Sequence, residues 1–279
     1  MGLAYIILRP IFTKISASFM SEKDLLDHSI RWIPQNATLL NYRIVLNDLG
    51  YFRALINTFL LAGLVSLMQL ISSTMVGYGL GRFEFRCNKL IFALVIFTMV
   101  VPPYMMMIPV YLNFRFFDIL GILPNGGINL LNSYWPFILT SLTGTGLRNG
   151  LFIFVMRQFF KGLPKNLEEA AYVDGAGFFK TFYKIMLPGA VPALVIVFLF
   201  SFVWMWSNDY QIGLYLANSE SFLPTLLAGF EDVAGYLDSR LYSLVANAAM
   251  LLFIAPLLVI YMFMQRYFIE SIERTGIVG

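Results

Sequence analysis

Five runs of about 20 apolar residues, the length that carries a helix across a ~30 Å hydrocarbon layer, constrain this chain more than any other feature: Leu55–Gly77, Leu90–Leu112, Trp135–Met156, Met186–Trp206 and Leu244–Met264. Only 13% of the 279 residues are charged and 59% are hydrophobic, against about 25% charged in soluble domains. Too little polar surface remains to cover a globule in water. The expectation is an all-α integral membrane protein of five or six transmembrane helices, forming a single domain over residues 1–279. Pro102, Pro103, Pro188, Pro192 and Pro256 fall in these runs. They are tolerated where neighbouring helices or water take up the freed carbonyls. A sixth candidate, Leu3–Met20, carries Arg9, Pro10 and Lys14. A central Arg or Lys costs roughly 2.5–3.5 kcal/mol, and no small-x-small cleavage site follows as after a signal peptide. It is read as a degenerate first helix, or one that has lost its true beginning.

Lys and Arg accumulate in short cytoplasmic loops. Arg82, Arg86 and Lys89 share one loop, and Arg157, Lys161, Lys165, Lys180 and Lys184 share another; Arg266 and Arg274 lie in the tail. The alternate loops hold Lys23, Arg31, Arg43, Arg53, Arg115 and Arg240, spread more thinly. Arg157–Lys184 and the C-terminus are therefore expected in the cytoplasm, with Ser21–Arg53, Asn113–Tyr134 and Ser207–Tyr242 outside. Trp135, Trp204, Trp206, Tyr242 and Tyr267 lie near the proposed boundaries, as an interfacial aromatic belt does.

Composition also excludes functions. The net charge of +3 comes with no basic stripe outside the membrane-flanking loops, so nucleic acid is not an expected partner. One cysteine, Cys87, allows no intrachain disulfide, and one histidine, His28, has no partner cysteines. No metal site and no catalytic residue are expected, and His28 is read as a solvated loop residue.

The longest cytoplasmic loop has its own local logic. Asn166 can cap a helix, with Glu169 three residues on as in a capping box. Glu168 and Glu169 suit the positive end of the helix dipole. Ala170 and Ala171 favour helix and leave room for another surface. Gly175 and Gly177 turn the chain. Phe178, Phe179, Phe182 and Tyr183 then give a second, aromatic-faced helix, and Pro188 opens the next span, where its missing N–H costs nothing. Two readings of this hairpin stand side by side: an amphipathic element packed on its own bundle, and a docking surface.

Glu169-Ala170-Ala171, Gly175, Ile185 and Leu187-Pro188 stand at the spacing of the EAA loop, and here the chain resembles the permeases of binding-protein-dependent ABC importers. The stretches Phe154–Pro164, Gly77–Phe85, Trp204–Asp209 and Gln265–Phe268 are similar to the carbohydrate branch, nearest the second permease of maltose-type systems. The short charged first helix and the tail Gly276–Gly279, without the family's frequent lysine, depart from the pattern. The resemblance implies a type I (MetI-like) ABC importer permease bundle, with residues 163–188 as a cytoplasmic coupling loop. It implies that Glu168, Glu169, Ala170, Ala171, Asp174, Gly175, Ile185, Leu187 and Pro188 dock a separate ATPase. The implied partners are a second, non-identical permease, two cytoplasmic ATPase subunits that carry ATP and Mg, and an extracytoplasmic solute-binding protein. The implied setting is a bacterial or archaeal cytoplasmic membrane, and the implied cargo a sugar or oligosaccharide. This chain has no P-loop run, and no cofactor is expected on it.

Three residues are candidates for the substrate path. Arg148 is an intramembrane charge, or a side chain that snorkels to water or caps a carbonyl. Gln69 lines a path or bonds a neighbouring helix. Asp209 sits at the outer mouth or is a solvated acid. Gly144, Gly146 and Gly150 are read as a small-residue packing face. The rival functions are a proton- or sodium-coupled secondary transporter, an ABC permease for a non-sugar solute, and a membrane enzyme. The first calls for inverted repeats and midplane acids, and the five runs contain no acid.

Overall fold

The computed structural model describes residues 2–27, 29–30, 32–118, 127–230 and 239–276. His28 and Arg31 lie outside them. The regular structure described is helical, apart from one isolated bridge between Phe117 and Ile128. Two compact units are formed. One comprises Met1–Leu60, Trp206–Gly213 and Ala217–Met262; the other comprises Leu61–Met205, Leu214–Leu216 and Phe263–Gly279.

The first and last apolar runs lie in single helices, Tyr51–Arg82 and Ser239–Gly276. These two are long and apolar enough to cross a membrane alone, and the described residues hold four crossings if each bent pair counts as one. The other runs are not single straight helices. The second breaks into Asn88–Val100 and Pro103–Arg115, bent by 98°. A proline pushes the residue before it out of the helical region. Val101 (φ −72°, ψ 120°) and Pro102 (φ −63°, ψ 131°) are both extended in front of a proline, so the pair makes a break and not a kink.

The third run divides into Trp135–Leu142 and Asn149–Gly162. Between them Gly144 (φ +74°) and Arg148 (φ +59°) are left-handed, and the Thr143 hydroxyl bonds back to the Leu139 carbonyl at 2.7 Å. Threonine and glycine are weak helix formers, and here they end one helix and start another. The fourth run begins later than its apolar stretch suggests. Phe178–Gly189 is a separate arm, bent by 73° from Val191–Trp206. Pro188 sits in the last turn of that arm and does not open the span. A π turn over Phe182–Met186 precedes it and accommodates the clash a proline otherwise makes with the preceding turn.

Within a membrane, helices associate through close packing and not through exclusion of water. In the unit that holds the hairpin, the Tyr51–Arg82 and Asn149–Gly162 helices meet at Gly77. A Cβ there would lie 2.6 Å from Met156 Cβ and 2.9 Å from the Arg157 nitrogen. Gly150 likewise admits Thr98, whose Oγ1 a Cβ would meet at 2.4 Å. Phe152, Met156, Phe160, Met186 and Val197 form the buried core around this contact.

In the other unit, Gly2–Ser18 is a helix with Pro10 inside it. Its Lys14 Nζ reaches the Asn247 side chain at 3.4 Å and Met250 Sδ at 3.2 Å. The loop after it folds over Asp24, whose carboxylate accepts from the Asn36 amide at 2.8 Å and from the Asn36 main chain at 3.0 Å. Burial pushes the Asp24 carboxyl up, but the Asn36 and Ser21 hydrogen bonds outweigh it and hold the group below the ordinary carboxylate range. Pro256 lies inside the Ser239–Gly276 helix and cannot donate to the Leu252 carbonyl one turn back. The Tyr51 hydroxyl donates to that carbonyl at 2.8 Å instead.

Tyr51→Phe should therefore strand the Leu252 carbonyl and cost about 1–2 kcal/mol. In a Pro256→Ala background residue 256 supplies the donor, and the same substitution should cost little. Unfolding in detergent micelles checks this, and equal losses in the two backgrounds would count against it.

Candidate functional site

The hairpin starts at Leu163-Pro164. Lys165 precedes the helix Asn166–Val173 with helical dihedrals and no side-chain cap. Asn166 is thus the first helical residue, not the cap, and the capping box expected from its spacing does not form. The proline before Lys165 fixes the entry instead. Glu168 and Glu169 lie in the first turn, where a negative charge suits the dipole. The helix ends on Gly175, left-handed at φ +74°. The Gly175 N–H bonds the Tyr172 carbonyl at 3.0 Å and the Ala176 N–H bonds the Ala171 carbonyl at 2.9 Å, the paired hydrogen bonds of a Schellman cap. Gly177 is extended (φ −76°, ψ 169°) and leads into the second arm, Phe178–Gly189.

The two acids of the first turn face different surroundings. Arg82 Nε lies 2.9 Å from Glu168 Oε2, an ion pair whose side chains are 4% and 14% exposed and whose N–H is not aligned as a hydrogen bond. The rest of the guanidinium is spent on the hairpin's entry. Nη1 donates to the Leu163 carbonyl at 2.9 Å and Nη2 to that of Pro164 at 3.3 Å. The other Glu168 oxygen accepts from the Tyr78 hydroxyl at 2.9 Å. Tyr78 and Arg82 are four residues apart and share a helix face. The Tyr78 ring packs against Phe160 (5.1 Å between centroids) and Phe182 (4.8 Å), tying the second arm to the same spot. Ala171, one turn beyond Glu168, is buried.

The opposite face is bare. Glu169, Ala170 and Asp174 are exposed, and Val173 is 88% exposed. Ile185 and Leu187 are half-buried and Pro188 is exposed. The nine loop residues thus divide into an inner set that fastens the hairpin to its own chain and an outer set that presents a small, acidic and apolar surface.

Gln69 is buried. Its amide donates to the Leu147 carbonyl at 3.0 Å and its oxygen accepts from Ser201 at 2.5 Å. Ser72 beside it donates to the Ser141 carbonyl at 2.6 Å and accepts from Asn149 at 3.2 Å. These groups satisfy the broken third run, and Gln69 serves as the interhelical bond. The Arg148 guanidinium lies 4.2 Å above the Trp204 ring, a cation–π contact that neither snorkelling nor carbonyl capping describes. Asp209 is exposed in the first turn of Asp209–Tyr215. Among the described residues no cluster of three His, Cys, Asp or Glu side chains could hold a metal ion. In the sequence Arg82 reads as a loop charge, and Tyr78 and Arg82 carry no individual role within the Gly77–Phe85 stretch. Their i, i+4 spacing in Tyr78-Gly-Leu-Gly-Arg82 was the available signal.

A family model described as the binding-protein-dependent transport system inner membrane component matches residues 73–274, from the middle of the long helix through the hairpin to the last helix. The chain belongs to this family. Its members are inner membrane components of transport systems that work with a binding protein. The melibiose/raffinose/stachyose import permease protein MelC of Bacillus subtilis (strain 168) is 29% identical, covering 91% of this chain and 86% of that protein. The arabinooligosaccharides transport system permease protein AraQ of the same organism is 28% identical, covering 100% and 93%. A bacterial ABC transporter involved in the import of the acidic polysaccharide alginate has a chain of the same fold, with a TM-score of 0.77, 23% identity, and coverage of 95% and 92%. The permease fold expected from the EAA loop is the one observed, with the second, third and fourth runs bent or broken.

Removing one partner of a mostly buried ion pair costs on the order of 3 kcal/mol. Arg82→Met should therefore lower the unfolding temperature of the permease in detergent and expose Lys165 to trypsin. Glu168→Gln, which keeps an acceptor for Tyr78, should do less of both. Equal protection of Lys165 in wild type and Arg82→Met would contradict the pinning role.

Proposed function

We propose that this chain forms half of the translocation pathway of an ABC importer for a sugar or oligosaccharide, and that its hairpin docks a separate ATPase. The observation that carries the proposal is the division of the Asn166–Val173 helix. Its inner face is fixed to the long helix through Glu168, and its outer face offers Glu169, Ala170 and Val173. A helix held on one side and bare on the other transmits a push without bending. An exposed apolar patch rimmed by polar residues marks an interaction site.

The other half of the pathway comes from a second, non-identical permease. Two ATPase subunits bind ATP and Mg, and this chain binds neither. An extracytoplasmic binding protein delivers the solute to the outer loops. The hairpin and the C-terminus face the cytoplasm, in agreement with the Lys and Arg bias of their loops. Closure of the ATPases on ATP displaces the hairpin, and the pinned long helix follows it. The sugar assignment rests on MelC and AraQ, whose names state saccharide cargo. Gln69, Arg148 and Asp209 stand as weaker candidates along the path. Of these, Gln69 acts by holding the broken third run, while Arg148 and Trp204 present a cation and a ring face, a combination that suits a polar solute.

Val173→Asp and Glu169→Lys should each abolish co-purification of the ATPase while leaving the unfolding temperature unchanged, since neither side chain touches the inner face. Normal ATPase recovery and uptake in both variants would sink the docking role. A cysteine at Lys165, in a Cys87→Ser background because Cys87 is exposed, should react with an impermeant reagent only after the membrane is opened. Uptake should need ATP and survive collapse of the proton gradient. Loss of uptake on collapse, with ATP maintained, would favour a secondary transporter.

A further inference from the structure

An apolar groove of about 370 Å³ runs between the long helix and the hairpin's second arm. Thr74, Tyr78 and Gly79 lie on its floor and Phe179, Phe182 and Tyr183 on its wall. Thr74 is 5% exposed and its hydroxyl has no hydrogen-bond partner among the described residues. A threonine within a helix ordinarily spends that hydroxyl on a carbonyl one turn back. Here a buried donor borders the groove unused. A Cβ on Gly79 would meet nothing within 4 Å, so the space above the floor is open. Lys180 and Lys184 are exposed on the second arm, each next in the chain to a lining residue, Phe179 and Tyr183, and neither has an ion-pair or hydrogen-bond partner among the described residues.

We propose that this groove holds an acyl chain of one anionic phospholipid, with the lipid phosphate between Lys180 and Lys184. The long helix is one of the two that are long and apolar enough to cross a membrane alone, so lipid is the solvent expected beside the groove. A trough lined by aliphatic and aromatic side chains suits a methylene chain. A rotation of the Thr74 side chain would bring this buried donor to an ester carbonyl just below a lipid phosphate. Two unpaired lysines at a membrane surface attract an anionic headgroup. An incoming helix of the partner permease is about 10–12 Å across with its side chains. It needs a broad shallow face. Because Tyr78 both lines the groove and donates to Glu168, an occupied groove packs the second arm against the same residue that pins the docking helix. The site rests on the chain's place in the membrane and not on the docking proposal, so either can fail alone.

The test uses the complete transporter in vesicles containing phosphatidylglycerol with a photoactivatable acyl chain. After irradiation, adducts should concentrate on groove residues such as Met75 and Phe179. They should be lost in Gly79→Leu, whose side chain enters the open space. A phosphatidylcholine probe, or the Lys180→Gln/Lys184→Gln variant, should give about thirtyfold less labelling, the scale that two lysines near an anionic surface supply. If Gly79→Leu does not assemble, the wild-type adduct map and the comparison of headgroups decide the matter. Adducts spread evenly over exposed apolar residues such as Ile56, Leu90 and Val259, or equal labelling by both lipids, would overturn the proposal. So would a disulfide from Met75→Cys (with Cys87→Ser) to the second permease, which would place a partner helix in the groove.

Discussion

Arg82 ends an apolar helix of 32 residues with a cation that water barely reaches. A guanidinium in that position needs several partners at once, and its planar fork can meet them where an ammonium would not. Here one edge meets Glu168 and the other meets the carbonyls of Leu163 and Pro164. The same charge therefore fixes where the hairpin begins and which face of its first helix turns inward. Ala171 is buried as a consequence, and Glu169, Ala170 and Val173 are left facing out. Ala170 is thus presented by an acid that precedes it and an arginine more than eighty positions earlier.

The rest of the architecture follows a related rule. Non-helical backbone at membrane depth is stable only where protein groups satisfy it. Such groups stand at two places in this chain. Gln69 and Ser72 serve the gap between Leu142 and Asn149, and Tyr51 serves the carbonyl freed by Pro256. At Pro188 a π turn does the same work within the arm itself. Bent and broken spans cost little under these conditions and leave discrete segments that can shift as bodies.

Much of this was legible in the sequence because it depends on local chemistry. The Tyr51–Arg82 and Ser239–Gly276 helices follow from uninterrupted apolar runs. The hairpin's turn follows from Gly175, where the left-handed conformation is needed. The motif residues were all identifiable by spacing. What the apolar runs could not reveal is where a run bends. Pro102-Pro103 reads as a tolerated interruption, and Gly144 and Gly146 as part of a packing face, yet helices end at both places, because two extended residues, Val101 and Pro102, or two left-handed ones, Gly144 and Arg148, cannot be absorbed by a kink. Asn166 has the right identity for a cap but lies one position too late, since Pro164 sets the entry. The Arg82–Glu168 pair joins residues far apart in the chain, and no local pattern carries that information.

The central claim is that the hairpin and the long helix move as one piece. Spin labels at Val76 and Asp174, both exposed, measure it directly by pulsed dipolar spectroscopy on the assembled transporter. A single narrow distance distribution, unchanged between the nucleotide-free and ATP-bound states, is the predicted result. A distribution that broadens or shifts on ATP binding would mean that the hairpin pivots about Arg82, and would contradict the account.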